Sequence, residues 1–195
     1  PWGRRPGPVR PVRRRRLRAN ARSGRPAAAS LGGYSNAVAE LFVEPGAKLE
    51  YVSIQNLSQE TWHFASHHAR VERDAELDWV AGGFGSKKGK VRIQNDLAAP
   101  GATSRVTGAY FADGEQHLDY DTFQEHAAPH TTSDFAFKGA LRDAASTVWR
   151  GMIRVEKDAQ KTDAKQTNKN LLLSDDAGAT WKLTLRRAGK SPKYL

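Results

Sequence analysis

The chain has 195 residues, a formal net charge of +10 and no cysteine. That length allows one domain with a real core, and the missing thiols exclude disulfides, thiolate metal ligands and cysteine nucleophiles. No apolar run approaches the roughly 20 residues of a spanning helix, and no signal-peptide core follows the first arginines; the sequence reads as a soluble, cytoplasmic protein without a membrane partner.

The positive charge is concentrated at the two ends. Residues 1–26 hold ten arginines and no acid, and residues 181–195 hold five basic groups and no acid. Removing those fifteen leaves 16 of the 31 basic groups against all 21 acids, so residues 27–180 carry a net of −5. The first segment, 1–32, is rich in Pro, Arg, Ala and Gly and reads as a disordered basic tail. A transit peptide, a nucleic-acid arm and a gene-model artefact are its three readings, the last being preferred.

From Tyr34 onward, short runs rich in Val, Ile, Tyr, Phe, Trp and Thr alternate with period two, the signature of strands. In "ELDWVA", Leu77 and Trp79 oppose Glu76 and Asp78. In "SRVTGAYF", Val106, Gly108 and Tyr110 oppose Arg105, Thr107 and Ala109. In "STVWRGMIRVE", Thr147, Trp149, Gly151, Ile153 and Val155 oppose Arg150, Met152 and Arg154. A Gly-Ala or Asp-Ala pair recurs at 46–47, 74–75, 101–102, 143–144, 158–159 and 176–177. One turn chemistry at irregular spacing predicts stacked rungs of a β-solenoid, with a β-sandwich or jelly roll as the alternative.

Several stretches bear on chemistry. "GGFGSKKGK", residues 82–90, lacks both the phosphate-loop spacing and its Ser or Thr, and reads as a flexible basic turn. His63 and His67 share a face with Ala65 and Ala69, opposite His68, and read as surface histidines rather than metal ligands. In "HLDYDTFQEHAAPHTTSD", residues 117–134, His117, Asp119 and Asp121 share one face at about 7 Å intervals, too far apart to ligate one ion unaided. His126 and His130 have helical zinc-ligand spacing, but Pro129 lies between them. Ser133 and Asp134 lack a nucleophile-elbow motif. Paired carboxylates for glycoside hydrolysis stay open on the residues alone.

Residues 110–174, with the runs "HTTSDFAFKGAL", "RGMIRV" and "AQKTDAKQTNKNLLLS", together with residues 35–79, resemble the core of the SufB/SufD family, scaffold subunits of the SUF iron–sulfur cluster assembly machine. The resemblance runs over about residues 33–177. It implies a right-handed parallel β-helix that works with SufB-like and SufC-like partners, the latter holding the ATPase activity. The absence of cysteine points to the SufD branch, whose roles are iron acquisition and support of SufB: a non-catalytic scaffold with no tightly bound cofactor, meeting iron or a cluster only transiently.

On this resemblance His126 and His130 are expected to touch iron transiently, and Lys138 of "FKG" to point into the β-helix interior. Arg150 and Asn168 to Asn170 read as rung structure. After "LLLSDDA" the chain departs from the family pattern, so 178–195 is expected to be an atypical basic segment left by a truncation or frameshift, with SufC contacts in doubt; a genuine terminal strand capping the solenoid, with Trp181, Leu183 and Leu185 alternating, is the alternative. A carbohydrate-active β-helix enzyme and a nucleic-acid binder acting through the Arg-rich tail are the alternatives from other classes.

Overall fold

In the computed structural model, residues 32–187 and 193–194 are described. The tail reading of residues 1–31 lies outside them, as do residues 188–192 and 195. The chain runs through β1 (Tyr34–Val43), β2 (Lys48–Gln55), β3 (Trp62–Val71), β4 (Glu76–Gly83), β5 (Lys88–Leu97) and β6 (Thr103–Ala112). It continues through β7 (His117–His126), β8 (Thr132–Leu141), β9 (Ser146–Val155), β10 (Asp163–Leu172), β11 (Gly178–Arg187) and the short β12 (Lys193–Tyr194). No helix occurs among the described residues.

Odd-numbered strands form one sheet in the order β1-β3-β5-β7-β9-β11-β12, and even-numbered strands form the other in the order β10-β8-β6-β4-β2. Every pairing is parallel except the β11–β12 end, so each turn of chain contributes one strand to each sheet and lies on the turn before it. This is a β-solenoid, as the repeated turn chemistry predicts. Successive rungs are offset by as few as 26 residues (Trp62 to Lys88) and as many as 32 (Ser146 to Gly178).

The turns explain the irregular spacing read from the sequence: two stacks are interleaved along the chain. One stack brings Gly46, Asp74, Gly101, His130 and Lys161 into register, all with φ between 53° and 78°. Pro45-Gly46 and Pro100-Gly101 place proline second and a left-handed residue third, as a type II turn requires; Ala47 and Ala102 close these turns on Glu44 O and Ala99 O. The stack is also laddered. Gly46 N–H donates to Arg73 O, Asp74 N–H to Pro100 O, Gly101 N–H to His130 O, and His130 N–H to Gln160 O. Asp158-Ala159 falls outside this column, its place taken by Lys161. The second stack aligns Gly114 with Asp143, both left-handed.

The alternation read from the sequence sets the core. Leu77, Trp79, Val106, Tyr110, Leu118, Tyr120, Phe135, Phe137 and Trp149 all point into the lumen and are buried. Their rings run down the lumen as a column: Tyr110 on Tyr120 at 5.1 Å, Tyr120 to Phe137 at 5.9 Å, Phe137 to Trp149 at 6.2 Å. Glycine makes room for them, since a Cβ on Gly108 would strike the Phe137 ring and one on Gly139 the Tyr110 ring.

Two placements correct the sequence reading. Lys138 is exposed on the outer face of β8, because Phe137 and Gly139 take the inward positions on either side. His63 and His67 face the lumen instead of the surface. His63 is buried and its Nδ1 lies 3.2 Å from Ser35 Oγ, while the His67 ring stacks on Trp79. Residues 178–187, whose alternating Trp181, Leu183 and Leu185 also allowed a terminal strand, form a ten-residue strand in register with β9.

Candidate functional site

The stretch 117–134 spans β7, a turn and the start of β8, and the pleat divides its polar groups between two environments. On the outer face, Lys90 of β5 and Arg150 of β9 close on the two carboxylates between them. Lys90 Nζ lies 2.9 Å from Asp119 Oδ2 and 2.7 Å from Asp121 Oδ2. Arg150 donates through Nη2 to both Asp119 oxygens (3.0 and 2.9 Å) and through Nε to Asp121 Oδ1 (2.6 Å). Burial pushes the Asp121 carboxyl up, but the hydrogen bonds and charges of Arg150 and Lys90 outweigh it and hold the group below the usual carboxylate value.

Glycoside hydrolysis needs one carboxyl that keeps its proton at neutral pH beside one that does not. Two carboxylates gripped by two cations do not supply that division of labour. His117 shares their face as predicted, but its Nδ1 is engaged with Ser146 Oγ at 2.8 Å. Further along the same face, burial raises the Glu125 carboxyl, with Arg154 opposing and Asp96 and Glu156 reinforcing the shift. Arg154 lies between the two glutamates, 3.6 Å from Glu125 and 2.5 Å from Glu156, and ties both to the sheet.

The inner face holds a different assembly. His126, Gln124, Ser133, Thr131, Asn95 and Ser104 are each at most 1% exposed. His126 Nδ1 lies 2.7 Å from Thr131 Oγ1, which donates to Ala128 O, and His126 Nε2 lies 2.8 Å from Ser133 Oγ. Ser133 also meets the Gln124 amide. One proton count joins the chain: His126 Nδ1–H donates to Thr131, Ser133 O–H donates to His126 Nε2, and the Gln124 amide is turned so that its nitrogen donates to Ser133 and its oxygen takes the position without a partner. The imidazole is then neutral. Burial lowers its pKa to about 4, with the Asp163 charge opposing weakly.

A serine hydroxyl on a histidine nitrogen is the geometry of a nucleophile and its base. Here the third partner is a threonine instead of a carboxylate, and both groups are sealed in the lumen away from any substrate. The assembly is a buried, hydrogen-bonded polar core in which Asn95 Oδ1 and one atom of the Gln124 amide have no partner. His130, by contrast, is exposed at the turn, where its left-handed backbone continues the column of Gly46 and Gly101. The histidine pair proposed for iron is therefore split between lumen and surface. Among the described residues, no three His, Cys, Asp or Glu side chains are grouped to hold a metal ion.

Sequence reasoning missed the inward polar column of Asn95, Ser104, Gln124 and Ser133. Its only local signal is the occurrence of small polar residues at inward positions of alternating strands. Asn168 to Asn170 are rung structure as read: Asn168 donates to Tyr110 Oη at 3.2 Å, Asn170 donates to Asn168 Oδ1 at 2.6 Å, and Tyr110 bonds Asn170.

Comparison with known proteins bears on the whole solenoid. The family model described as SUF system FeS cluster assembly, SufBD core domain, matches residues 22–182. An iron-sulfur cluster assembly SufBD family protein of Mycobacterium leprae (strain TN) is 33% identical over 155 residues, covering 76% of this chain and 39% of that protein. One of the same description from Mycobacterium tuberculosis (strain ATCC 25618 / H37Rv) is 35% identical over the same coverage. A further protein of that strain is 32% identical over 124 residues, 64% of this chain and 15% of its own length. The chain thus spans about two fifths of the length of the first two relatives.

Proposed function

The chain belongs to the SufBD family of the SUF iron–sulfur cluster assembly system, and on that premise we propose that it is a SufD-type scaffold core. In this reading it supports a SufB-like subunit and helps iron reach it, while ATP hydrolysis resides in a SufC-like partner. The observation that carries the proposal is the pairing of the family match with a chain that has no cysteine and whose His126–Ser133 pair is closed to solvent. Such a chain offers surface and placement rather than covalent chemistry.

Of the two histidines expected to meet iron, His130 is the one at the surface, and the proposal assigns transient iron contact to it; His126 is committed to the lumen. SufC contacts, iron acquisition and a cytoplasmic setting are parts of the same proposal. The test is anaerobic cluster assembly on SufB-like and SufC-like subunits of the same source, with and without this chain. Co-elution with the SufB-like subunit, with more iron and stronger cluster absorption in its presence, is the expected result. Separate elution with unchanged iron would sink the reading, and unchanged iron uptake by a His130→Ala variant that still co-elutes would remove His130 from it.

A further inference from the structure

On the outer face of the odd-numbered sheet, one row across four neighbouring strands reads Arg92, Asp121, Arg150 and Lys182. Three cations share this row with one acid, and Asp121 is already held by Lys90 and Arg150. Arg150 and Lys182 are register neighbours on β9 and β11. Arg92 donates to the neutral amide oxygen of Gln94 at 2.9 Å and has no carboxylate at ion-pair distance among the described residues.

The next row contributes Phe123 and Met152, which are half-buried and register neighbours. Together these groups line a notch of about 360 Å³. That volume lies in the range of small-ligand sites, where an apolar floor with a few placed polar groups is the usual arrangement. We infer that this notch binds a carboxylate carried on an apolar body, the anion meeting Arg92 and the apolar part lying on Phe123 and Met152.

The guanidinium of Arg92 has the planar fork that carboxylates accept from. Arg150, anchored by its bonds to Asp119 and Asp121, gives the site a fixed wall that need not reorganise on binding. The same chemistry has two sources, a free small acid and an acidic side chain of a bound protein segment.

The test uses the full chain at low salt, with naphthoate as a fluorescent probe, its neutral counterpart naphthylmethanol, and an acidic tetrapeptide of alternating leucine and glutamate as competitor. Naphthoate is expected to bind at least about tenfold more tightly than naphthylmethanol, and Arg92→Ala to weaken it about tenfold with unchanged circular dichroism. Arg92→Gln serves as the second variant, and Lys138→Ala on the opposite sheet is expected to bind as the parent does. Tighter binding by the tetrapeptide assigns the site to a protein segment, and tighter binding by naphthoate to a free acid. Equal binding of the neutral probe, undiminished binding by both Arg92 variants, or displacement of naphthoate by inorganic phosphate as effectively as by benzoate would overturn the inference.

Discussion

Two columns of side chains run down the same lumen. The aromatic column of Tyr110, Tyr120, Phe137 and Trp149 and the polar column of Asn95, Gln124, Ser133 and His126 are both closed to water. The aromatic side chains stabilise through apolar area and ring contacts, which no single partner controls. The polar groups contribute little net energy while satisfied, and each becomes costly once its partner is removed. Equal burial therefore conceals opposite kinds of dependence: the aromatic column fails in proportion to volume lost, the polar column in proportion to partners lost.

The comparison can be broken at the aromatic side first. Phe137→Ala empties the middle of the ring column and is expected to cost about 3–5 kcal/mol, read as a fall in the urea midpoint. A loss below that of an ordinary surface substitution would mean the column is not the core. The next largest effect is one of pH. His126 titrates at about 4 when folded and at 6.5 when unfolded, so below pH 6.5 the unfolded chain takes up a proton that the folded one refuses. Stability is then full above about 6.5, falls as the pH drops toward 4 and levels off beneath it. The loss is about 3 kcal/mol from this group. Urea titrations at several pH values check this, and His126→Leu should reduce the slope in that window, leaving the part due to His67, whose pKa burial also lowers to about 4.

A smaller loss is expected from Ser133→Ala, about 1–3 kcal/mol, because it leaves His126 Nε2 and the Gln124 amide buried without a hydroxyl. Combining it with His126→Leu should cost less than the two separate losses added together, since they share one network; simple additivity would show that the network is not coupled. Smallest of all is Arg150→Ala on the outer face, under about 1 kcal/mol and shrinking as salt is raised. A loss as large as that of Phe137→Ala would put the ion cluster, not the lumen, at the centre of stability.

Much of this arrangement could be read in the sequence, for a definite reason. Alternation is a local property, so "STVWRGMIRVE" separates Trp149 and Ile153 from Arg150 and Arg154 without any knowledge of neighbours. The lumen itself is not local. His63 and His67 were correctly put on one face, but only stacking on β1 and β5 makes that face the inside. Lys138 stands between Phe137 and Gly139, and the same alternation would have sent it outward; the expectation drawn from family resemblance ran against it. The pairing of His126 and His130 rested on the family resemblance, and their four-residue spacing would bring them together only on a helix, not on a strand followed by a turn. The two turn stacks stayed hidden because the residues that align, such as Gly101 and His130, are a whole rung apart in sequence and share no residue type.

The laddered turns and in-register strands also determine how the molecule can move. Rungs of parallel strands are spaced at about 4.8 Å, so groups in one column are graduated like marks on a rod. Gly46, Asp74, Gly101 and His130 are each bonded to the next rung. Bending or stretching such a rod would break several of these bonds at once, whereas turning it as a whole breaks none. Forces applied at one end by a bound partner are therefore delivered to the other as rotation or displacement of the entire solenoid: mechanically it is a lever.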